Sequence, residues 1–197
     1  MRLLALVLAA FGAAPAFAQG LSAYIGVDVG VLAHDVPDPD SPFSDTVGAW
    51  KLFGGFQIND YIGFEAARGS SRSLGDDDGV GSPLNVGVHR LHQAHSVEFD
   101  LFTVKIKGFL PFEWGSLSIG YGYFNMDADA VWTAPSGDRG SISVGDDGEV
   151  ATLGIDWRRF GRFDRSFDLR LEYEWFDFPF SNAETLTIGV AYRFGNL

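Results

Sequence analysis

Cysteine is absent from the 197 residues. That absence removes disulfides, thiolate metal sites and cysteine nucleophiles together. Also missing, beyond residue 18, is any uncharged apolar run near the length of about 20 residues that a membrane helix needs. No later segment carries an apolar repeat of helical period. Basic residues are scarce: 14 Lys and Arg stand against 26 Asp and Glu, a formal net charge of −12. Phosphate backbones are bound through basic surfaces, so nucleic acid is excluded as a partner.

What is present begins with an export signature. Met1-Arg2 is followed by an apolar run from Leu3 to Ala13 and by Ala16-Phe17-Ala18. A charged start, a short apolar core and an Ala-x-Ala site predict a signal peptide over 1–18, cleaved after Ala18. A membrane anchor is excluded by length and by Pro15. The remaining 19–197 is predicted to be one exported domain. Without disulfides, such a domain needs another source of rigidity, and a closed hydrogen-bonded sheet supplies one.

The rest of the chain alternates. From Thr185 to Phe194, Leu186, Ile188, Val190, Tyr192 and Phe194 share one face, and Thr185, Thr187, Gly189, Ala191 and Arg193 the other. Strand side chains point to opposite sides in turn, so this is a two-faced strand. The same pattern predicts seven earlier strands, near 21–32, 49–58, 62–67, 97–110, 116–123, 151–158 and 167–175. Three short connections are expected, at Asn59-Asp60, 111–115 and 159–165. Four longer ones are expected as loops: 34–45, 69–95, 125–148 and 176–182. Phe99 and Leu101 share a face with Lys105 and Lys107, which leaves the register of the fourth strand least determined.

An even number of strands with short and long connections in alternation is the topology of an all-β, eight-stranded antiparallel up-and-down transmembrane β-barrel. A soluble barrel would also alternate, and three features decide against it. The apolar face is bulky and aromatic, with Trp50, Tyr121, Tyr123, Trp157, Tyr173 and Trp175 among its members. The polar face mixes long charged side chains with glycine, which suits a narrow interior and gains nothing in water. Its signs nearly cancel: Lys51, Lys105, Lys107, Arg158, Arg170 and Arg193 against Asp28, Glu65, Asp156, Asp168, Glu172 and Glu174. Buried charges are costly unless paired, so a closed interior needs that balance. The expected pairs are Lys51 or Lys105 with Glu65, and Arg170 or Arg193 with Glu172 or Glu174. Eight strands leave an interior that side chains just fill, which excludes a large pore.

The segments Trp50 to Tyr61, Leu171 to Phe176 and Ile188 to Phe194 resemble the outer-membrane β-barrel family. That family includes the transmembrane domain of outer membrane protein A and the opacity and adhesion or invasion proteins. The resemblance implies a Gram-negative outer-membrane location, with outer-membrane lipid and lipopolysaccharide as surroundings. The spacing of Thr187, Gly189, Tyr192 and Phe194 resembles the C-terminal signal that the barrel-assembly machinery recognises. Gly195-Asn196-Leu197 departs from it by extending past the aromatic residue.

Chemistry is thinly represented. His89, His92 and His95 follow Asp76-Asp77-Asp78, but their spacing sets no ligand geometry and the surroundings predict a solvated loop. The loop aspartates fit no calcium-loop pattern. The resemblance also extends to lipid A deacylases, which use His and Ser on a late strand. Here Ser181 and Glu184 have no histidine within the last hundred residues to act as base. No enzyme activity, cofactor or metal is expected. The expected role is structural and surface-exposed, with adhesin-like loops and an external ligand the sequence does not name. A narrow porin-like channel is the alternative, followed by a lipid A-modifying barrel enzyme.

Overall fold

The backbone N–H and C=O groups of a strand are all paired only when it has a neighbour on each edge, and here each of the eight long strands has two. The computed structural model describes residues 21–34, 46–71, 74–75, 82–86, 89–133, 138–160, 165–177 and 182–194. Among them are ten strands: β1 (Ser22–His34), β2 (Thr46–Gln57), β3 (Ile62–Ser71), β4 (Leu74–Gly75), β5 (Ser82–Val86), β6 (His89–Phe112), β7 (Gly115–Thr133), β8 (Arg139–Phe160), β9 (Arg165–Asp177) and β10 (Asn182–Phe194). The short β4 and β5 pair only with β6. The other eight form a ring in the order β3-β2-β1-β10-β9-β8-β7-β6, closed by the β3–β6 pairing. Every pairing is antiparallel.

The register shows how the ring closes. Ala33 faces Glu184, then Trp175, Ala151, Tyr121, Ile106, Phe64 and Phe56 in turn. Phe56 faces Ala23, so the circuit returns to β1 ten residues below its start. A stagger of this kind tilts the strands by about 35–45° and fixes a narrow interior. Asn59 builds the β2–β3 turn by accepting hydrogen bonds from the N–H groups of Tyr61 and Ile62 at 2.8 and 2.9 Å. The start of β1 and the end of β10 lie at the same end as the short turns.

Two predicted loops are corrected. Residues 125–133 and 139–148 are paired strand, carrying β7 and β8 far past the predicted ends. β6 starts at His89, so the three histidines lie on strand backbone, while their side chains fall outside the described ones. The cause is an inversion of the pattern. Below Tyr123 the large apolar side chains of β7 point outward; above it Phe124, Met126, Ala128 and Ala130 point inward and Asp127 and Asp129 outward. Counting polar residues hides a strand whose alternation continues with its polarity reversed. The predicted signal peptide lies outside the described residues.

Candidate functional site

The lumen is layered. At its middle, Lys51, Lys105, Lys107 and Arg170 meet Glu65, Glu172 and Glu174, all seven at most 4 % exposed. Lys51 Nζ donates to Glu172 at 2.8 Å and Glu174 at 2.9 Å, and lies 3.4 Å from Asp28. Lys105 Nζ is 3.1 Å from Glu65 and donates to Glu172 at 3.0 Å and Glu174 at 2.5 Å. Arg170 grips Glu65 with both terminal nitrogens, at 2.7 and 2.9 Å, and also donates to Glu172. Lys107 donates to Glu172 at 2.5 Å. Phe53 packs under the Arg170 guanidinium at 4.2 Å, and the Tyr24 hydroxyl donates to Glu65 at 3.1 Å.

Glu172 is therefore the hub, touching all four cations. Close approach is allowed by inward glycines. A Cβ at Gly189 would lie 2.0 Å from Asp28 Oδ1 and 2.2 Å from the Val27 carbonyl oxygen.

Toward the short-turn end, Arg193 forms a separate group. Its Nε donates to Asp168 at 2.9 Å, and Nη1 donates to Ser22 at 3.2 Å and to Gln57. Asp156 is buried opposite Arg170 in register but forms no ion pair with a described residue. The Arg158 side chain lies outside the described ones. Of the expected alternatives, Lys105 and not Lys51 joins Glu65, and Arg170 joins Glu172, whereas Arg193 joins Asp168. Of the C-terminal spacing, Thr187 is buried and Gly189 faces the lumen, while Tyr192 packs outside between the tilted rings of Phe167 and Phe194.

Above the charges, Leu32, Phe99, Phe124, Met126, Val150 and Phe176 form an apolar plug, with Phe124 and Phe176 edge to face at 5.3 Å. A cavity of about 30 Å³, space for about one water, separates plug from network between Leu101, Met126, Lys51 and Glu174. The plug was missed from sequence, although Phe99 and Leu101 on the lysine face were its visible sign. Among the described residues no group of three or more His, Asp or Glu is placed to hold a metal. Ser181 lies outside the described residues, and Glu184 accepts a hydrogen bond from the Tyr173 hydroxyl.

The outer wall is apolar where a lipid face must be: Val27, Val29, Leu52, Ile106, Ile119, Leu153, Ile188 and Val190 are 44–65 % exposed. On β9 this face runs from Phe167 to Trp175, nine residues, enough for a tilted strand to cross a bilayer. The sequence from 3 to 194 matches the outer membrane protein β-barrel domain. The chain belongs to that outer-membrane family. Its fold is similar to the attachment invasion locus protein Ail of Yersinia pestis, at 15 % identity and a TM-score of 0.58, covering 89 % of this chain and 99 % of that one. Neisserial surface protein A is similar at 12 % identity and a TM-score of 0.53, covering 88 % and 98 %. No curated protein gives a match. The protein is accordingly an integral component of the Gram-negative outer membrane.

In that membrane the long-connection end faces outward. There five strands switch from apolar to acidic on their outer side, at Glu98 and Asp100, Asp127 and Asp129, Asp147 and Glu149, Asp177, and Glu184. All eight carboxylates are exposed. Glu98 faces Asp129, Asp100 faces Asp127 and Glu149 faces Asp177 directly across strands. Like charges so placed repel, which marks this rim as hydrated and screened by salt. On β1, β2 and β3 the outer faces carry no described carboxylate.

Proposed function

We propose that the protein is a sealed structural barrel of the outer membrane, without catalytic activity, whose outer end serves as a contact surface. The observation that carries this is two barriers in series: a fully crossed ion-pair network and, above it, an apolar plug. Ions crossing the first would meet the second, and a narrow apolar constriction excludes water. Deleting the gene is expected to raise detergent sensitivity of the envelope and leave lipid A unmodified by mass spectrometry. A lost lipid A product in the deletion strain would refute the non-enzymatic part.

The contact surface follows the charge. Ail was solved with the heparin analogue sucrose octasulfate. A sulfated ligand brought to this barrel would meet eight outward carboxylates. The outer end therefore suits neutral or cationic partners, and adhesion to heparin-coated surfaces is expected to be absent.

A second reading, a narrow channel, draws support from one feature. The hydroxyls of Thr103, Ser116, Ser118 and Thr152 are buried along the β6–β8 wall with no partner among the described residues. Buried hydroxyls take water when protein partners are lacking. Such a file would reach the plug and end there, so hydration of the lower lumen does not by itself open a path.

A further inference from the structure

We propose that Arg68 binds the phosphomonoester headgroup of an outer-leaflet lipid, of the lipid A type, against the β2–β3–β6 face. Along the outer side of β3 the series Ile62, Phe64, Ala66 is apolar, and then comes Arg68. Its register partners are Leu52 and Phe102, both about half exposed to lipid. Phe102 is the last apolar residue on its strand before Asp100, so Arg68 stands in the uppermost ring of the apolar band. Trp50, half exposed and paired with Ser70, flanks it diagonally.

A cation here needs an explanation. Among the described residues Lys51, Lys105, Lys107, Arg170 and Arg193 are buried in the lumen, and Arg139 lies far above the band at the start of β8. Arg68 is the one described cation that is exposed on the lipid-facing wall. An ionised side chain at the edge of hydrocarbon is costly unless it reaches polar headgroups or a counter-charge. No described carboxylate supplies one: Asp100, a pleat above on β6 opposite Ser70, forms no ion pair with it.

The chemistry of the ligand follows from position and donors. The level is that of lipid headgroups, and the guanidinium fork matches phosphate oxygens better than a point charge does. A phosphomonoester carries more charge and more acceptor oxygens than a diester. Trp50, one pleat above Arg68 on the neighbouring strand, carries an indole N–H as a second donor type on this face, while the Ser70 hydroxyl already donates to the Ser71 carbonyl at 3.3 Å. The charge layout adds direction, since the carboxylate rim on β6 to β10 repels anionic headgroups and the faces of β1 to β3 do not. The site is separate from the lumen and stands whether or not the barrel is sealed.

The test uses the full barrel in phosphatidylcholine nanodiscs doped with diphosphoryl lipid A, dephosphorylated lipid A or phosphatidylglycerol. Native mass spectrometry reads the lipid retained by wild type, Arg68→Gln, Arg68→Lys and Asp100→Asn. Wild type is expected to retain diphosphoryl lipid A about fivefold more than Arg68→Gln. Arg68→Lys should fall between, and the difference should vanish for the dephosphorylated lipid. Equal retention by wild type and Arg68→Gln would overturn the site. An equal difference with phosphatidylglycerol would overturn the phosphomonoester assignment. Loss of heat resistance in both Arg68→Gln and Asp100→Asn with unchanged lipid retention would show that Arg68 serves Asp100 instead.

Discussion

Removing the Glu172 carboxylate leaves Lys51, Lys105, Lys107 and Arg170 facing Glu65, Glu174 and Asp28 alone. Uncompensated buried charge of this sort costs about 3–5 kcal/mol. Glu172→Ala is therefore expected to lower the temperature at which the refolded barrel loses its fast-migrating gel form, with Asp156→Asn affecting it less. Unchanged heat resistance in Glu172→Ala would show that the network does not hold the fold. The inward side of each described charge was legible in the alternation, and most of the partners were not. Lys51 and Glu172 sit on β2 and β9, and Arg170 and Glu65 on β9 and β3, strands that are not neighbours in the ring. Such pairs cross the lumen, and their distances depend on its diameter and stagger, which no single strand encodes.

At the scale of an element, β10 shows how backbone approach constrains sequence. Gly189 lies against Asp28 and the Val27 carbonyl, so an alanine there must displace backbone of β1. Gly189→Ala is expected to destabilise the barrel by about 1–3 kcal/mol, the usual range for overpacking. Gly54 points outward, with only the Tyr24 carbonyl oxygen 3.6 Å from a Cβ placed there. Gly54→Ala should leave urea unfolding unchanged, and equal effects of the two substitutions would contradict the assigned faces. We propose that Thr187, Gly189, Tyr192 and Phe194 are also read during assembly. Trimming 195–197 should then speed insertion by the assembly machinery, and slower insertion would count against that reading. Strand identity was legible wherever apolar residues faced lipid. It failed on the upper parts of β6, β7 and β8, because strands rising out of the bilayer exchange which face is apolar.

For the whole molecule, the alternation of short and long connections fixed topology before any contact was known. What alternation leaves open is the filling of the interior, since a lumen of charged side chains reads alike whether the charges line water or each other. The ion pairs show the charges meeting each other, and Phe99, Phe124, Met126 and Phe176 lie together on the outer side of that network, which supports the proposed sealed reading. A sealed barrel in turn leaves the outer rim and the lipid-facing wall as the surfaces available for contact.

Conductance tests the central claim most directly. Barrel verified as folded by its heat-dependent gel shift would be inserted into planar bilayers and held at voltages of either sign. A sealed barrel predicts a current that stays at the bare-membrane baseline; reproducible unitary steps from the wild-type protein would contradict it.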